Sequence, residues 1–256
     1  MIVSSMAALF VGLSSPLAHA GVAVNHFSLG PRALVPMAAN VPLRIMALGA
    51  SITYGQGSSE GNGYRGPLLD QLTSAGNNVE MVGSRPHGSM RNSLVEGWPG
   101  FRIEQVHAKA KESVPQNKPN LILINVGTND AVQNRNVSTA GERMEAMIED
   151  LFAMSTRTTV ILSTLLVNRN QATERNVLSI NQQFGGVVTR LQNRGRRIIL
   201  VDMHSPDHGP LVSDLVDDTH PNDIGYRKMA NIWYWGINNV SDRGWLQPPE
   251  PLRRGA

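Results

Sequence analysis

The chain has 256 residues, 41% of them hydrophobic and 17% charged, enough to bury a full core in one α/β domain. Its formal net charge of +3 comes from scattered Lys and Arg, apart from short clusters such as Arg194, Arg196, Arg197 and Arg253, Arg254. That argues against nucleic acid as a partner, because backbone binding needs several cations gathered on one face. Cysteine is absent, which excludes a disulfide framework, a thiolate metal site and a cysteine nucleophile.

Residues 2–13 (IVSSMAALFVGL) form a short apolar stretch, and Ala18-His19-Ala20 supplies the small-x-small pattern that signal peptidase reads. Residues 1–20 are therefore expected to be a secretory signal peptide and the mature protein to be extracellular, the alternative being a buried or membrane-associated N-terminal helix. The run is shorter than the ~20 residues that span a bilayer, so no stable membrane insertion is expected after cleavage. Residues 21–42, with Pro31, Pro36 and Pro42 and no steady period, read as an N-terminal arm.

The domain is expected over residues 43–245. Apolar runs at 43–49, 79–83, 120–127, 159–166 and 197–203 read as buried strands, because parallel strands covered on both faces are apolar throughout. Helical patterns lie between and after them, near 64–75, 102–114, 139–155, 173–194 and 222–239. Such alternation predicts an α/β sandwich around a mainly parallel sheet of about five strands. The stretch Gly55-x-Gly57…Gly61-x-Gly63 fails the dinucleotide fingerprint and reads as a flexible or tightly turned loop. The proline-rich residues 246–256 read as a flexible tail. Asn136 and Asn239 head N-x-[ST] sequons, glycan acceptors if the secretory pathway is eukaryotic.

In open parallel sheets ligands bind beyond the carboxyl ends of the strands, which directs attention to three places. The first strand runs into Gly49-Ala50-Ser51, where a serine on a sharp strand-to-helix turn has an exposed hydroxyl; Ser51 could equally cap the helix. The third ends in Gly127-Thr128-Asn129-Asp130, where the Asn129 amide could donate to a developing oxyanion or make an Asx turn. After the last strand, Asp217-Asp218-Thr219-His220 sets a carboxylate three residues before an imidazole, so that Asp217 can bond Nδ1 and leave Nε2 to a serine. Asn222 or Asp223 could cap the following helix. His204 and His208, near Asp202 and Asp207, read as a surface loop, with no metal implied. Trp233 and Trp235 read as packing residues.

In order and strand context these elements, with Gly97-Trp98-Pro99-Gly100 between the first two, resemble the SGNH (GDSL-like) hydrolases over about Arg44 to Ala230. The resemblance implies a flavodoxin-like three-layer α/β/α fold with strand order 2-1-3-4-5. It implies Ser51 as nucleophile, His220 as base, Asp217 as orienting carboxylate, and the amides of Ser51 and Gly100 with the Asn129 side chain as oxyanion hole, without metal or organic cofactor. Ala50 departs from the family's Gly-Asp-Ser block, at a position outside the catalytic triad. Ser51-Ile52-Thr53-Tyr54-Gly55, Gly63-Tyr64-Arg65, Met81-Val82-Gly83-Ser84, Glu96-Gly97-Trp98-Pro99-Gly100 and His220-Pro221-Asn222-Asp223 more narrowly resemble the carbohydrate esterase family 3 acetyl xylan esterases. The expected function is thus a secreted serine esterase acting on an acylated carbohydrate such as acetylxylan. A lipid-directed esterase or lysophospholipase of the same superfamily and a non-catalytic carbohydrate-binding protein are the alternatives.

Overall fold

The computed structural model describes residues 41–252; the expected signal peptide, the arm as far as residue 40 and the last four residues lie outside them. In chain order the elements are β1 (Leu43–Gly49), α1 (Ser51–Tyr54), α2 (Arg65–Ser74), β2 (Val79–Val82), β3 (Arg85–Pro86), β4 (Leu94–Gly97), α3 (Ile103–Asn117), β5 (Leu121–Asn125), α4 (Thr128–Val132), α5 (Ala140–Met154), β6 (Thr159–Ser163), α6 (Gln171–Asn193), β7 (Ile198–Val201) and α7 (Asp223–Asp242).

The five expected strands pair in parallel in the order β2-β1-β5-β6-β7. Sequence periodicity missed β3 and β4. The outer edge of β1 is shared: Leu43 to Met46 pair with β2, while Leu48 and Gly49 pair with Glu96 and Gly97 of β4. β3 then adds antiparallel to β4, with Arg85 opposite Val95. Only two residues of β4 touch β1, too few to leave a periodic signature.

Successive side chains on each strand enter opposite cores, as the two-residue period requires. Met46, Leu48, Ile122, Ile124, Val160 and Leu162 pack with residues of α3, α5 and α6 such as Val106, Met147, Ile148 and Phe184. Ile45, Ala47, Leu121, Leu123 and Ile161 pack with Leu68 and Leu72 of α2 and with Met229, Trp233 and Ile237 of α7. Each fully buried Leu or Ile contributes about 1.5–3 kcal/mol, so the two cores hold the three layers together. Trp233 is fully buried, whereas Trp235 is exposed.

The segment from Leu246, expected to be a flexible tail, is tied to the amino ends of the strands as far as Glu250. Asn120 Nδ2 donates to the Gln247 carbonyl at 2.6 Å, Arg44 Nη1 to the Glu250 carbonyl at 3.0 Å, and the Thr156 amide to Glu250 Oε1 at 2.7 Å. These donors satisfy the Gln247 and Glu250 carbonyls and the Glu250 carboxylate.

Candidate active site

Three loops meet at the carboxyl ends of β1, β4 and β5 because those strands are neighbours. Gly49 makes the first turn possible: a Cβ there would lie 2.2 Å from the Asn125 carbonyl oxygen and 2.3 Å from Thr53 Oγ1. Ala50 occupies the N-cap of α1 without any side-chain cap, which places Ser51 inside the helix rather than at its cap. Gly55, at φ 104°, ends α1 in the left-handed region, and its amide bonds the Ser51 and Ile52 carbonyls. The glycine-rich loop that follows is tightly turned, since a Cβ on Gly55 would meet the Gly61 carbonyl oxygen at 2.2 Å.

A four-residue helix leaves orphan carbonyls, and Arg65 takes them. Its fully buried guanidinium donates through Nε to Thr53 O (3.2 Å) and through Nη2 to Tyr54 O (3.1 Å), Gly61 O (3.1 Å) and His87 O (3.0 Å). Nη1 donates to Ser93 O at 3.1 Å. Burial lowers the Arg65 pKa, and no carboxylate faces it among these partners; backbone dipoles carry the solvation. Tyr64 Oη lies 3.3 Å from Thr53 Oγ1, and burial pushes that phenol up to about 12. In the sequence Arg65 stands out only as part of the Gly63-Tyr64-Arg65 block; its position-fixing contacts are with main-chain atoms that no sequence motif displays.

On the opposite side of Ser51, the Asp217–His220 turn is closed by its own side chain. Asp217 Oδ1 accepts from the amides of Thr219 and His220, each at 2.7 Å, and Oδ2 lies 2.7 Å from His220 Nδ1. His220 Nε2 lies 2.8 Å from Ser51 Oγ. Burial works to raise the Asp217 carboxyl, but the bonds from the His220 ring and from the His220 and Thr219 amides outweigh it and hold it below the ordinary carboxylate value. Ionised Asp217 fixes the tautomer with hydrogen on Nδ1, leaving Nε2 as acceptor for the serine hydroxyl. The turn is anchored to the loop after β6 by Asn168 Nδ2 to Thr219 Oγ1 (3.0 Å) and the Arg169 amide to Asp218 O (3.0 Å). Asn222 caps α7, accepting from the amides of Ile224 and Gly225.

The third group of residues surrounds Gly100 and Asn129. The Trp98 amide donates to Gly49 O at 3.0 Å, setting the Trp98-Pro99-Gly100 turn against the Gly49-Ala50-Ser51 turn. Gly100 has φ 80°, where a side chain would be strained although nothing lies within 4 Å of a Cβ. Gly127, not Asn129, is the N-cap of α4; the Asn129 Nδ2 atom donates to Phe101 O at 2.9 Å. An amide nitrogen carries two hydrogens, so this bond orients the side chain and leaves the other for a ligand. Buried Asp130 accepts from the Ile103 amide at 3.1 Å and pairs with Arg143, joining α4 to the start of α3. Burial raises its carboxyl against the opposing pull of Arg143 and the Ile103 amide.

Glu96 is fully buried, yet both its oxygens are occupied: Oε1 by Trp98 Nε1 (2.7 Å) and Ser84 Oγ (3.0 Å), Oε2 by the Ser84 amide (2.9 Å). It braces the Trp98 ring. His204 Nε2 lies 2.6 Å from Glu174 Oε1 in the first turn of α6, and Glu174 Oε2 accepts from the Asn168 amide at 2.7 Å.

Comparison with known proteins agrees with this architecture. The family model described as GDSL-like Lipase/Acylhydrolase family matches residues 47–228. A multidomain esterase of Ruminococcus flavefaciens is 27% identical over 239 residues, covering 83% of this chain but only 30% of that protein's length. A Clostridium thermocellum family 3 carbohydrate esterase superposes with TM-score 0.67 at 24% identity, covering 79% of this chain and 99% of its own. A carbohydrate esterase family 3 protein from Talaromyces cellulolyticus gives TM-score 0.67 at 21% identity, with 78% and 99% coverage.

Proposed function

The chain belongs to the GDSL-like lipase/acylhydrolase family, and from that premise we propose that it is a serine esterase in which Ser51 attacks the acyl carbon. The observation that carries this reading is the line Asp217 Oδ2, His220 Nδ1, His220 Nε2, Ser51 Oγ, with its two gaps of 2.7 and 2.8 Å. His220 takes the serine proton as the C–O bond forms. The amides of Ser51 and Gly100 and the Asn129 side chain receive the oxyanion of the tetrahedral intermediate. Collapse expels the alcohol, protonated by His220, and leaves an acyl-enzyme. Water activated by the same imidazole then releases the acid. No step calls for a metal or organic cofactor.

The substrate we infer is an acetylated plant cell-wall polysaccharide such as acetylxylan, on the strength of the sequence blocks and of the names borne by the similar proteins. We further infer secretion after removal of residues 1–20, which the apolar run and Ala18-His19-Ala20 support. Of the two sequons, Asn136 is exposed and is the better glycan acceptor, whereas Asn239 is half-buried within α7. Among the described residues no helix is long and apolar enough to cross a membrane.

One observation favours a second reading, a lipid-directed esterase: Leu211, Val212, Val216 and Ile224 are exposed around the His220 turn. Acetate release from acetylated xylan, with Ser51→Ala as control, tests the first reading. A preference that climbs with acyl length on simple esters would favour the second. Absence of labelling by a serine-directed phosphonate would overturn both.

A further inference from the structure

Arg85 stands between the two turns that build the site, and its guanidinium has aromatic neighbours in place of a counter-ion. Its Cζ lies 4.9 Å from the Tyr54 ring centroid and 4.7 Å from the Trp98 ring. Tyr54 is the last residue of the helix that begins with Ser51, and Trp98 leads directly into Pro99 and Gly100. Both rings are held: Tyr54 stacks on His87 at 3.5 Å, and Trp98 stacks on Phe101 at 5.5 Å while Glu96 accepts its indole N–H. Among the described residues the Arg85 guanidinium makes no hydrogen bond or ion pair. Glu96, beside the Trp98 ring, is engaged with Ser84 and with the Trp98 indole. The other cation over Trp98, Lys109, is paired with Glu112 at 2.9 Å.

A guanidinium held over aromatic rings and without a protein acceptor keeps its N–H groups free, in the fork that matches a carboxylate. Two aromatic rings also restrict its rotamers before any ligand arrives, which lowers the entropic cost of binding. Resting on the esterase reading above, we propose that Arg85 is a specificity-determining residue that receives a carboxylate carried by the ester substrate close to the scissile acyl group. That carboxylate belongs either to a uronate in the carbohydrate alcohol or to a dicarboxylic acyl group.

The experiment compares kcat/KM for three esters: acetylated methyl xyloside, acetylated methyl glucuronoside and the succinyl half-ester of methyl xyloside. Wild type is expected to favour one of the two acidic esters over the neutral one by about tenfold or more, and which one identifies the side of the bond. Arg85→Gln should bring that ratio close to unity. If Arg85 only packs against Tyr54 and Trp98, Arg85→Gln lowers all three together and the ratio stands, which overturns the proposal; so does a wild type without preference. Calorimetry on Ser51→Ala protein, using a glucuronate-bearing and a neutral xylo-oligosaccharide and free succinate, separates this from failure of the esterase reading. Tighter binding of an acidic probe that disappears in Ser51→Ala/Arg85→Gln supports the site even without turnover. Equal or absent binding of both acidic probes overturns it.

Discussion

His220 Nε2 stands 2.8 Å from Ser51 Oγ across 169 positions of the chain, and the contact joins the loop after β7 to the turn after β1. His220→Ala is expected to reduce kcat by about ten-thousandfold or more, because the serine then has no proton acceptor. The half-buried ring closes no core, so the thermal midpoint should move little. Near wild-type turnover in this variant would remove the imidazole from the chemistry.

Asp217→Asn is expected to lose activity less severely, by roughly ten- to a hundredfold less than His220→Ala. The asparagine oxygen can still accept from the His220 and Thr219 amides that Asp217 Oδ1 now holds. What disappears is the charge that steadies the imidazolium. Equal losses in the two variants would show that this carboxylate is indispensable.

For Asn129→Ala the expected loss in kcat is about a hundredfold to a thousandfold, or ~3–4 kcal/mol, with KM for a small ester little changed. Because Gly127 rather than Asn129 caps α4, a capping deficit is not the expected phenotype. Losing the bond to Phe101 O should cost about 1 kcal/mol of stability. A lowered midpoint with unchanged kcat would leave the oxyanion to the Ser51 and Gly100 amides alone.

Arg65→Met keeps an unbranched apolar stem but strips donors from the carbonyls of Thr53, Tyr54, Gly61, His87 and Ser93. A loss of about 3 kcal/mol or more in urea unfolding is expected, together with reduced kcat, since α1 carries Ser51. Arg65→Lys, with fewer and differently aimed donors, should fall between. A Met variant within about 1 kcal/mol of wild type would mean that water replaces the guanidinium without strain.

Acid should destabilise the His220 loop through its carboxylates. Burial opposes the shift in Asp214, but Lys228 and the Leu211 amide outweigh it and hold that carboxyl low; Asp217 is held low likewise, and Asp223 by its bonds from Ser59. With folded pKa values below the unfolded ones, the unfolded chain binds protons first on acidification. The stabilisation is therefore present above about pH 4 and lost as pH falls through the folded values. Thermal midpoints measured from pH 6 down to pH 2 should fall below about pH 4. Asp214→Asn should lower the midpoint at pH 6 and blunt that fall; an unchanged acid slope would exclude Asp214.

Much of this was legible in the chain itself. A strand covered on both faces is mostly apolar, so β1, β5, β6 and β7 announced themselves as runs and β2 as one broken by Glu80, and Ser51, Asn129 and His220 stood just beyond strands or a strand-following loop. Those are local properties of residue type and spacing. Tertiary structure alone decided the rest. β3 and β4 exist because β2 leaves half of β1's edge unpaired, and residues 246–250 are held because Arg44, Asn120 and Thr156 reach them. Arg65 and Arg85 acquire their positions from backbone carbonyls and from ring faces brought in by other segments. Carbonyls are the same at every residue, so no pattern of side chains could have disclosed which of them a buried guanidinium would meet.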